Sequence, residues 1–509
     1  MRLLLFALRS QAGSVPSASR RHGRHPSISS LALFPLIPHF GDPSFMKEEL
    51  ESAERNKDQL IPKMGITTTN QPHYLIAFLL FFSVLLSATA DVVTNATLEE
   101  KYRKAAAEAY EDSMKAYNPN PLGVADDFTS LVKKSLKHKN SSRRHLEEDE
   151  DDGCMATNPI DRCWRCDPNW AKNRKRLAEC ARGFGHETTG GKEGRYYVVS
   201  DPSDDVMDNP LPGTLRHAVI QTEPLWIIFE HSMVIQLKQE LMMTSDKTID
   251  GRGKQVHIAY GAGITIQFVH NVIIHNIWIH NIIPKSGGMI RDALAHIGLR
   301  TRSDGDAISV YGSSRVWIDH VSLSKGTDGL IDVIEGSTAV TISNCKFNNH
   351  NDVMLLGAHD DSEKDSIMQV TVAFNRFGKG LIQRMPRVRW GFAHVVNNDY
   401  SHWELYAIGG SSHPTIISQG NRFRASNNPY TKQVTKRDYA SESEWRNWQW
   451  RSEGDMFKNG AYFLESGPPL VHENSQLTAE NMVKFKPGSY AGRLTRSAGA
   501  LKCRPGKYC

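Results

Sequence analysis

Asp304 and Asp306 stand two apart in Arg302-Ser-Asp-Gly-Asp306. On a strand, positions i and i+2 face the same way, so both carboxylates would project from one surface. Asp328 and Asp332 follow in Asp328-Gly-Leu-Ile-Asp332. Carboxylates gathered without His or Cys suit oxygen coordination of a hard cation such as Ca²⁺. No Asp-x-Asp-x-Asp-Gly loop with a closing Glu occurs, so the pattern is not an EF-hand. The competing reading is turn aspartates that cap the backbone. A second stretch, Gln383-Arg-Met-Pro-Arg-Val-Arg389, places Arg384 and Arg389 five apart on what reads as a strand edge. Guanidinium forks grip carboxylates in bidentate fashion, although most arginines end in surface ion pairs. Acids followed by arginines suit a site that handles an acidic substrate through a metal bridge.

Such residues must be brought together by repetition. From about residue 196 the chain runs in short β-type segments, among them Trp226-Ile-Ile-Phe229, Val316-Trp-Ile318, Val340-Thr-Ile342 and Val370-Thr-Val372. They carry no helical period, and no long helix separates them, which argues against βαβ units. Phe377, Tyr400 and Phe423 recur every 23 residues, and Asn375, Asn398 and Asn421 keep the same interval. Leu323 and Phe347 precede them at spacings of 24 and 30. A period of this length marks a solenoid. With β-type runs the expectation is an all-β, right-handed, single-stranded parallel β-helix with stacked apolar columns and an asparagine ladder. Unequal repeats and few hairpin dipeptides disfavour a sandwich or a propeller. Coils stack about 4.8 Å apart, which would bring Asp328 and Asp332 beside Asp304 and Asp306, with the arginines one or two coils further on. Trp170, Arg174, Leu177, Ala178 and Ala181 share a helical face and predict an N-terminal cap tied down by Cys180. The Trp-rich tail after about residue 430 is expected to pack over the outside.

The chain has 509 residues, 39% hydrophobic and 23% charged, enough for a large globular core with further regions. A net charge of +5 without a basic, aromatic-interleaved stripe gives no sign of a nucleic-acid partner. Residues 1–41 lack acids and are rich in Arg, Ser and Leu, like a transit peptide. The apolar run Tyr74–Leu86 precedes Ser87-Ala-Thr-Ala90. It is too short for a membrane span, which takes about 20 residues, and fits a secretory signal core. Residues 1–63 therefore read as an upstream extension or mispredicted start, with Met64 opening a signal peptide over 64–90. An uncleaved anchor and a genuine transit peptide are the alternatives; no stable membrane span is expected. Residues 91–153 read as an N-terminal helical region and acidic linker. Apolar residues recur at helical spacing over 98–136, broken at Asn118-Pro-Asn-Pro121, and Arg143-Arg144 offers a processing site. Sequons stand at Asn95 and Asn140.

Seven cysteines are too few to be the framework. In a secretory context, Cys163 or Cys166 is expected to pair with Cys180, and Cys503 with Cys509, while Cys345 sits in an apolar run as a buried thiol.

Longer motifs carry a resemblance. Over about residues 154–509 the chain resembles the plant pectate lyases, in Asn158-Pro-Ile-Asp-Arg-Cys-Trp164, Thr188-Thr-Gly-Gly-Lys192, Trp317-Ile-Asp-His320, Asp328-Gly-Leu-Ile-Asp332 and Gln383-Arg-Met-Pro386. The resemblance implies calcium ligands at Asp304, Asp328 and Asp332, a further one at Asp306, a catalytic arginine at Arg384, and a substrate-carboxylate grip at Arg389. It implies a secreted, wall-acting enzyme, expected as a monomer, that cleaves polygalacturonate by β-elimination with Ca²⁺ as cofactor. Arginine is a poor base near neutrality, so an alkaline optimum is expected. Three departures stand out. Asp352 occupies the place after the His-Asn pair where many relatives have Lys, and two cysteines common in the family are replaced, within Ser324-Lys-Gly-Thr327 and at Val388. The rivals are a calcium-independent pectin lyase, a polygalacturonase, whose signatures are absent, and a non-catalytic, allergen-like wall-binding protein.

Overall fold

Each coil of the chain is built from three short strands whose apolar side chains point to one shared interior. The coil from Ile308 to Ser324 shows the plan: Ile308–Tyr311, Ser314–Asp319 and Ser322–Ser324 each enter a different parallel sheet. Period-2 alternation turns Val310, Val316, Ile318 and Leu323 inward, where each is almost fully buried. The next coil repeats the register, with Ser309 opposite Asp332, Val316 opposite Val340 and Leu323 opposite Phe347. Ten-, nine- and eight-strand parallel sheets result, wound as the right-handed parallel β-helix expected from the repeat. The computed structural model describes residues 99–141, 153–437, 440–468 and 487–509, all within one compact unit over 88–509. The upstream extension, the signal-like segment, Asn95 and the acidic linker lie outside the described residues.

The 23-residue interval has a direct structural meaning. Phe347, Phe377, Tyr400, Phe423 and Phe457 form a stack with centroids 4.5–5.8 Å apart. The turn that leads into this stack places one residue at positive φ, such as Asn344, Phe374 or Asn397, and then one inward residue. That inward residue is Cys345, Asn375, Asn398 or Asn421. The Asn375 backbone N–H donates to Asn398 Oδ1 at 2.8 Å, and the Asn398 N–H donates likewise to Asn421 Oδ1. Cys345 begins the column and donates its N–H to Asn375 Oδ1. Asp455 ends it by accepting from the Asn421 N–H. Cys345 is the free, buried thiol predicted.

The flank of the ten-strand sheet is covered by a second apolar cluster. Ile160, Trp164, Trp170, Leu177, Leu494 and Cys503 pack on the outward faces of Trp226, Ile273 and Trp317. Cys163–Cys180 and Cys503–Cys509 are paired as expected, and Cys154–Cys166 is a third bridge. Two expectations need correcting. The Trp170–Ala181 face lies along this flank and does not cap the solenoid. The N-terminal end is closed by the short helix Leu215–Val219, whose Leu215, Ala218 and Val219 enter the interior. The segment after 430 contributes Thr435–Arg437, Trp450–Glu453 and Met456–Lys458 as the last strands of the three sheets. Among the described residues of this segment, the final ones, with Leu494 and Cys503, run over the outside.

The two N-terminal helices, 99–116 and Pro121–Ser141, dock on the coils. At their break, Asn118 and Gln369 exchange hydrogen bonds of 2.9 and 2.6 Å. Phe128, Val132 and Leu136, spaced i, i+4, i+8, bury one face against Phe374 and its neighbours. The first helix stands Tyr102 edge-on to Phe268 and bonds its hydroxyl to that of Tyr311 at 2.7 Å. Among the described residues no helix is long and apolar enough to cross a membrane.

Candidate functional site

Every residue singled out for metal or proton chemistry lies on or beside a loop entering the eight-strand sheet. Stacked coils stack their loops, so residues far apart in sequence become neighbours. Asp304 and Asp306 are not on a strand, contrary to expectation. Residues 301–306 form an extended loop, and the strand begins at Ile308. The bend at Gly305, with φ of +104, lets its carbonyl accept from Thr327 in the next coil at 3.1 Å. The outcome is nevertheless a cluster: oxygens of Asp304, Asp306 and Asp328 all lie within 4.8 Å of one another.

Asp332 backs this group from the outward face of Ile331–Ile334. Its Oδ1 is buried without a hydrogen-bond partner. Asp306 Oδ1 accepts from the Gly329 N–H at 2.6 Å. A Cβ at Gly329 would fall 2.4 Å from Asp332 Oδ1 and 2.7 Å from Asp306 Oδ1, so both carboxyls abut a spot only glycine leaves open. Burial first, and Asp304 next to it, push the Asp306 carboxyl up to about 8. Burial and the neighbouring acids likewise raise Asp332 well above the carboxylate range, and Asp328 less so. Asp304, Asp306 and Asp328 form an all-oxygen donor set that a hard cation would satisfy, backed by Asp332 with its orphaned buried oxygen.

Arg384 follows the short strand Leu381–Gln383 and holds a φ of +59. Its Nε lies 2.9 Å from Asp352 Oδ1, an ion-pair distance without the alignment of a hydrogen bond. Asp352 is itself steadied by Asn351 Nδ2 at 2.9 Å. The next residue, Met385, accepts at its carbonyl from the buried Tyr400 hydroxyl at 2.8 Å. One ring of the aromatic stack thus anchors the loop carrying Arg384. Arg389 is engaged rather than open: its Nε donates to Asp360 Oδ1 at 2.8 Å, and a second nitrogen donates to the Gly357 carbonyl. Arg387, for which the sequence suggested no role, lies in the register column of Asp332 through Leu355, buried, with Nη2 3.3 Å from Ser411 Oγ. No sequence signal pointed to the Tyr400–Met385 bond, to the Arg384–Asp352 contact, or to the Tyr102–Tyr311 contact, because each joins residues brought close only by winding.

The acids open onto a groove of about 1560 Å³ over the outer face of the eight-strand sheet. Its walls are the first N-terminal helix and the hairpin Gly288–Ala293/His296–Arg300. By contrast, Trp317-Ile-Asp-His320 faces the opposite flank, where His320 Nε2 meets Asp161 Oδ1 at 2.7 Å and its other ring nitrogen meets the Gly499 carbonyl. That motif fastens the terminal segments and takes no part in the groove.

Known proteins resemble this chain over most of its length. Residues 230–495 match the family model described as pectate lyase, and 96–146 match pectate lyase, N terminus. A pectate lyase of Lilium longiflorum is 56% identical over 436 residues, covering 86% of this chain and 99% of the lily protein. A pectate lyase of Zinnia elegans is 57% identical over 380 residues, 75% of this chain and 93% of its own. The crystal structure of jun a 1, the major allergen from cedar pollen, superposes with a TM-score of 0.64 at 47% identity, covering 68% of this chain and 99% of the allergen.

Proposed function

The chain belongs to the pectate lyase family, and on that premise we propose that it cleaves polygalacturonate by calcium-dependent β-elimination. The observation that carries this reading is the convergence of Asp304, Asp306 and Asp328 with Arg384 on stacked loops beside one groove, backed by Asp332 on the adjoining strand. These four aspartates would hold Ca²⁺. When bound, the ion would withdraw charge from the uronate carboxylate and make the C5 hydrogen more acidic. Arg384 in its neutral form accepts that proton, the C5–H electron pair becomes the C4=C5 bond as C4–O breaks, and the departing glycosidic oxygen takes a proton from solvent, which leaves a 4,5-unsaturated uronide at the new non-reducing end. To act so, Arg384 must part from Asp352, which otherwise favours its charged form. Arg389 grips a substrate carboxylate by exchanging Asp360 for it. The precursor reading follows from the sequence: a signal over 64–90 directs the protein outward to the wall, 1–63 precede the true start, and 91–153 form the N-terminal region ahead of the catalytic coils.

The Arg384–Asp352 pair and the likeness to a pollen allergen favour a second reading, a wall-binding protein with little turnover. One assay separates them. Protein from residue 91 onward is incubated with polygalacturonate, with and without chelator, and the ultraviolet absorbance of the unsaturated product is followed. Calcium-dependent product is expected, and it should vanish in Arg384→Lys. No product with calcium present refutes the lyase reading. Product that survives chelation points to the pectin-lyase rival.

A further inference from the structure

The first N-terminal helix does more than rest on the coils. Tyr102 fixes its height, through the ring contact with Phe268 and the 2.7 Å bond to Tyr311. Tyr311 ends the strand whose preceding loop carries Asp304 and Asp306, so the helix runs along the same groove. Beside Tyr102, Lys101 faces the groove from the helix, and Arg300 faces it from the end of the hairpin. Arg300 lies close enough to Tyr311 for its charge to act on that hydroxyl. The acids of this stretch are already engaged: Glu99 with Arg103 at 3.2 Å, Asp292 with His296 at 2.7 Å, and Glu240 with the Thr265 hydroxyl at 2.6 Å. Lys101 and Arg300 make no side-chain hydrogen bond or ion pair among the described residues. Two cations on separate walls, without ion-pair partners among the described residues and set apart from the aspartate cluster in the same groove, attract an anion.

We propose that Lys101 and Arg300 form a distal subsite that binds the carboxylate of a uronate residue beyond the scission point, with the N-terminal helix as a working wall of the groove. This rests on the lyase reading for the identity of the polymer, a chain with one carboxylate per sugar. A strand of it that passes the aspartates and Arg302 and continues along the groove runs by these two cations. The helix would then lengthen the binding site rather than close it.

The test uses protein from residue 91 onward. The ratio of kcat/KM on polygalacturonate to that on trigalacturonate is measured for wild type, Lys101→Ala, Arg300→Ala and the double variant. Each loss should lower the polymer preference about three- to tenfold, the worth of a charge-assisted contact in a wet groove, and Lys101→Arg should restore it. An unchanged preference overturns the proposal. A rise in polymer cleavage also overturns it and makes the helix a cover. If the wild type cleaves neither substrate, the lyase reading fails on its own. Calorimetric binding of polygalacturonate then decides the subsite, expected to weaken in the double variant and refuting the subsite if equal.

Discussion

Calcium binding should expel a proton, and the structure sets where in pH this happens. Asp306 and Asp332 are buried against each other, and Asp306 is pushed up to about 8 by burial first and Asp304 second. Burial first, and then Asp306, raise Asp332 well above the carboxylate range too, so the pair is protonated near neutrality and its protons leave in linked steps. A rise of roughly four units corresponds to on the order of 5 kcal/mol of unfavourable charge in the metal-free site once the Asp306 proton leaves. The sign follows from linkage. A folded-state value above the unfolded one gives stability that is full below about pH 4 and lost as pH rises through about 8. The melting temperature of chelated protein should therefore fall over that window, while saturating calcium flattens the fall. Below about pH 8 the metal must displace the proton, so its apparent affinity should tighten up to about tenfold per pH unit and then level off. Calcium titrations by calorimetry in two buffers of different protonation enthalpy count the proton directly. At least one should be released near pH 6.5 and fewer near pH 9. Asp306→Asn should reduce the release. A calcium affinity that is flat between pH 6 and 8, with no proton expelled, would refute the picture of a protonated buried pair.

Gly329→Ala places a methyl between the two carboxyls at 2.4 and 2.7 Å, so calcium affinity should weaken by about 10- to 100-fold, as for a displaced ligand shell; equal affinity would show that the acids can shift freely. Asp352→Asn releases Arg384 from a partly exposed ion pair of up to about 1 kcal/mol, so kcat/KM should rise up to about fivefold. A tenfold drop instead would mean that Asp352 orients Arg384 and that freeing it is harmful. Tyr400→Phe leaves the Met385 carbonyl without its partner, at a cost of about 1–3 kcal/mol. The melting temperature and kcat/KM should both fall while calcium affinity holds, and a variant unchanged in all three would sever the stack from the Arg384 loop.

The solenoid was legible because it is written in repetition. Phe377, Tyr400, Phe423 and the asparagines two residues before them keep a fixed interval, and winding at that interval can only stack them. Asp304, Asp306, Asp328, Asp332 and Arg384 could be named from residue type and motif. Residue type also gave one false inference: i, i+2 spacing suggested a strand, yet Gly305 bends 301–306 into a loop because its carbonyl is claimed by the next coil. The helical face of Trp170–Ala181 was visible, but amphipathicity says only that a face is buried, not against what, so its place on the flank was not.

The sequence by itself determined the parallel coils, the free Cys345, the pairing of Cys503 with Cys509 and the set of acids near an arginine, all local or periodic features. Only the tertiary structure decided that Asp332 lies behind Asp306 with an orphaned oxygen, that Asp352 and Asp360 occupy Arg384 and Arg389, that Tyr400 holds the Arg384 loop, and that the N-terminal helix walls the groove. Those contacts join residues up to 209 apart, and their geometry depends on how loops of unequal length settle on one another. No pattern in a linear chain records that distance.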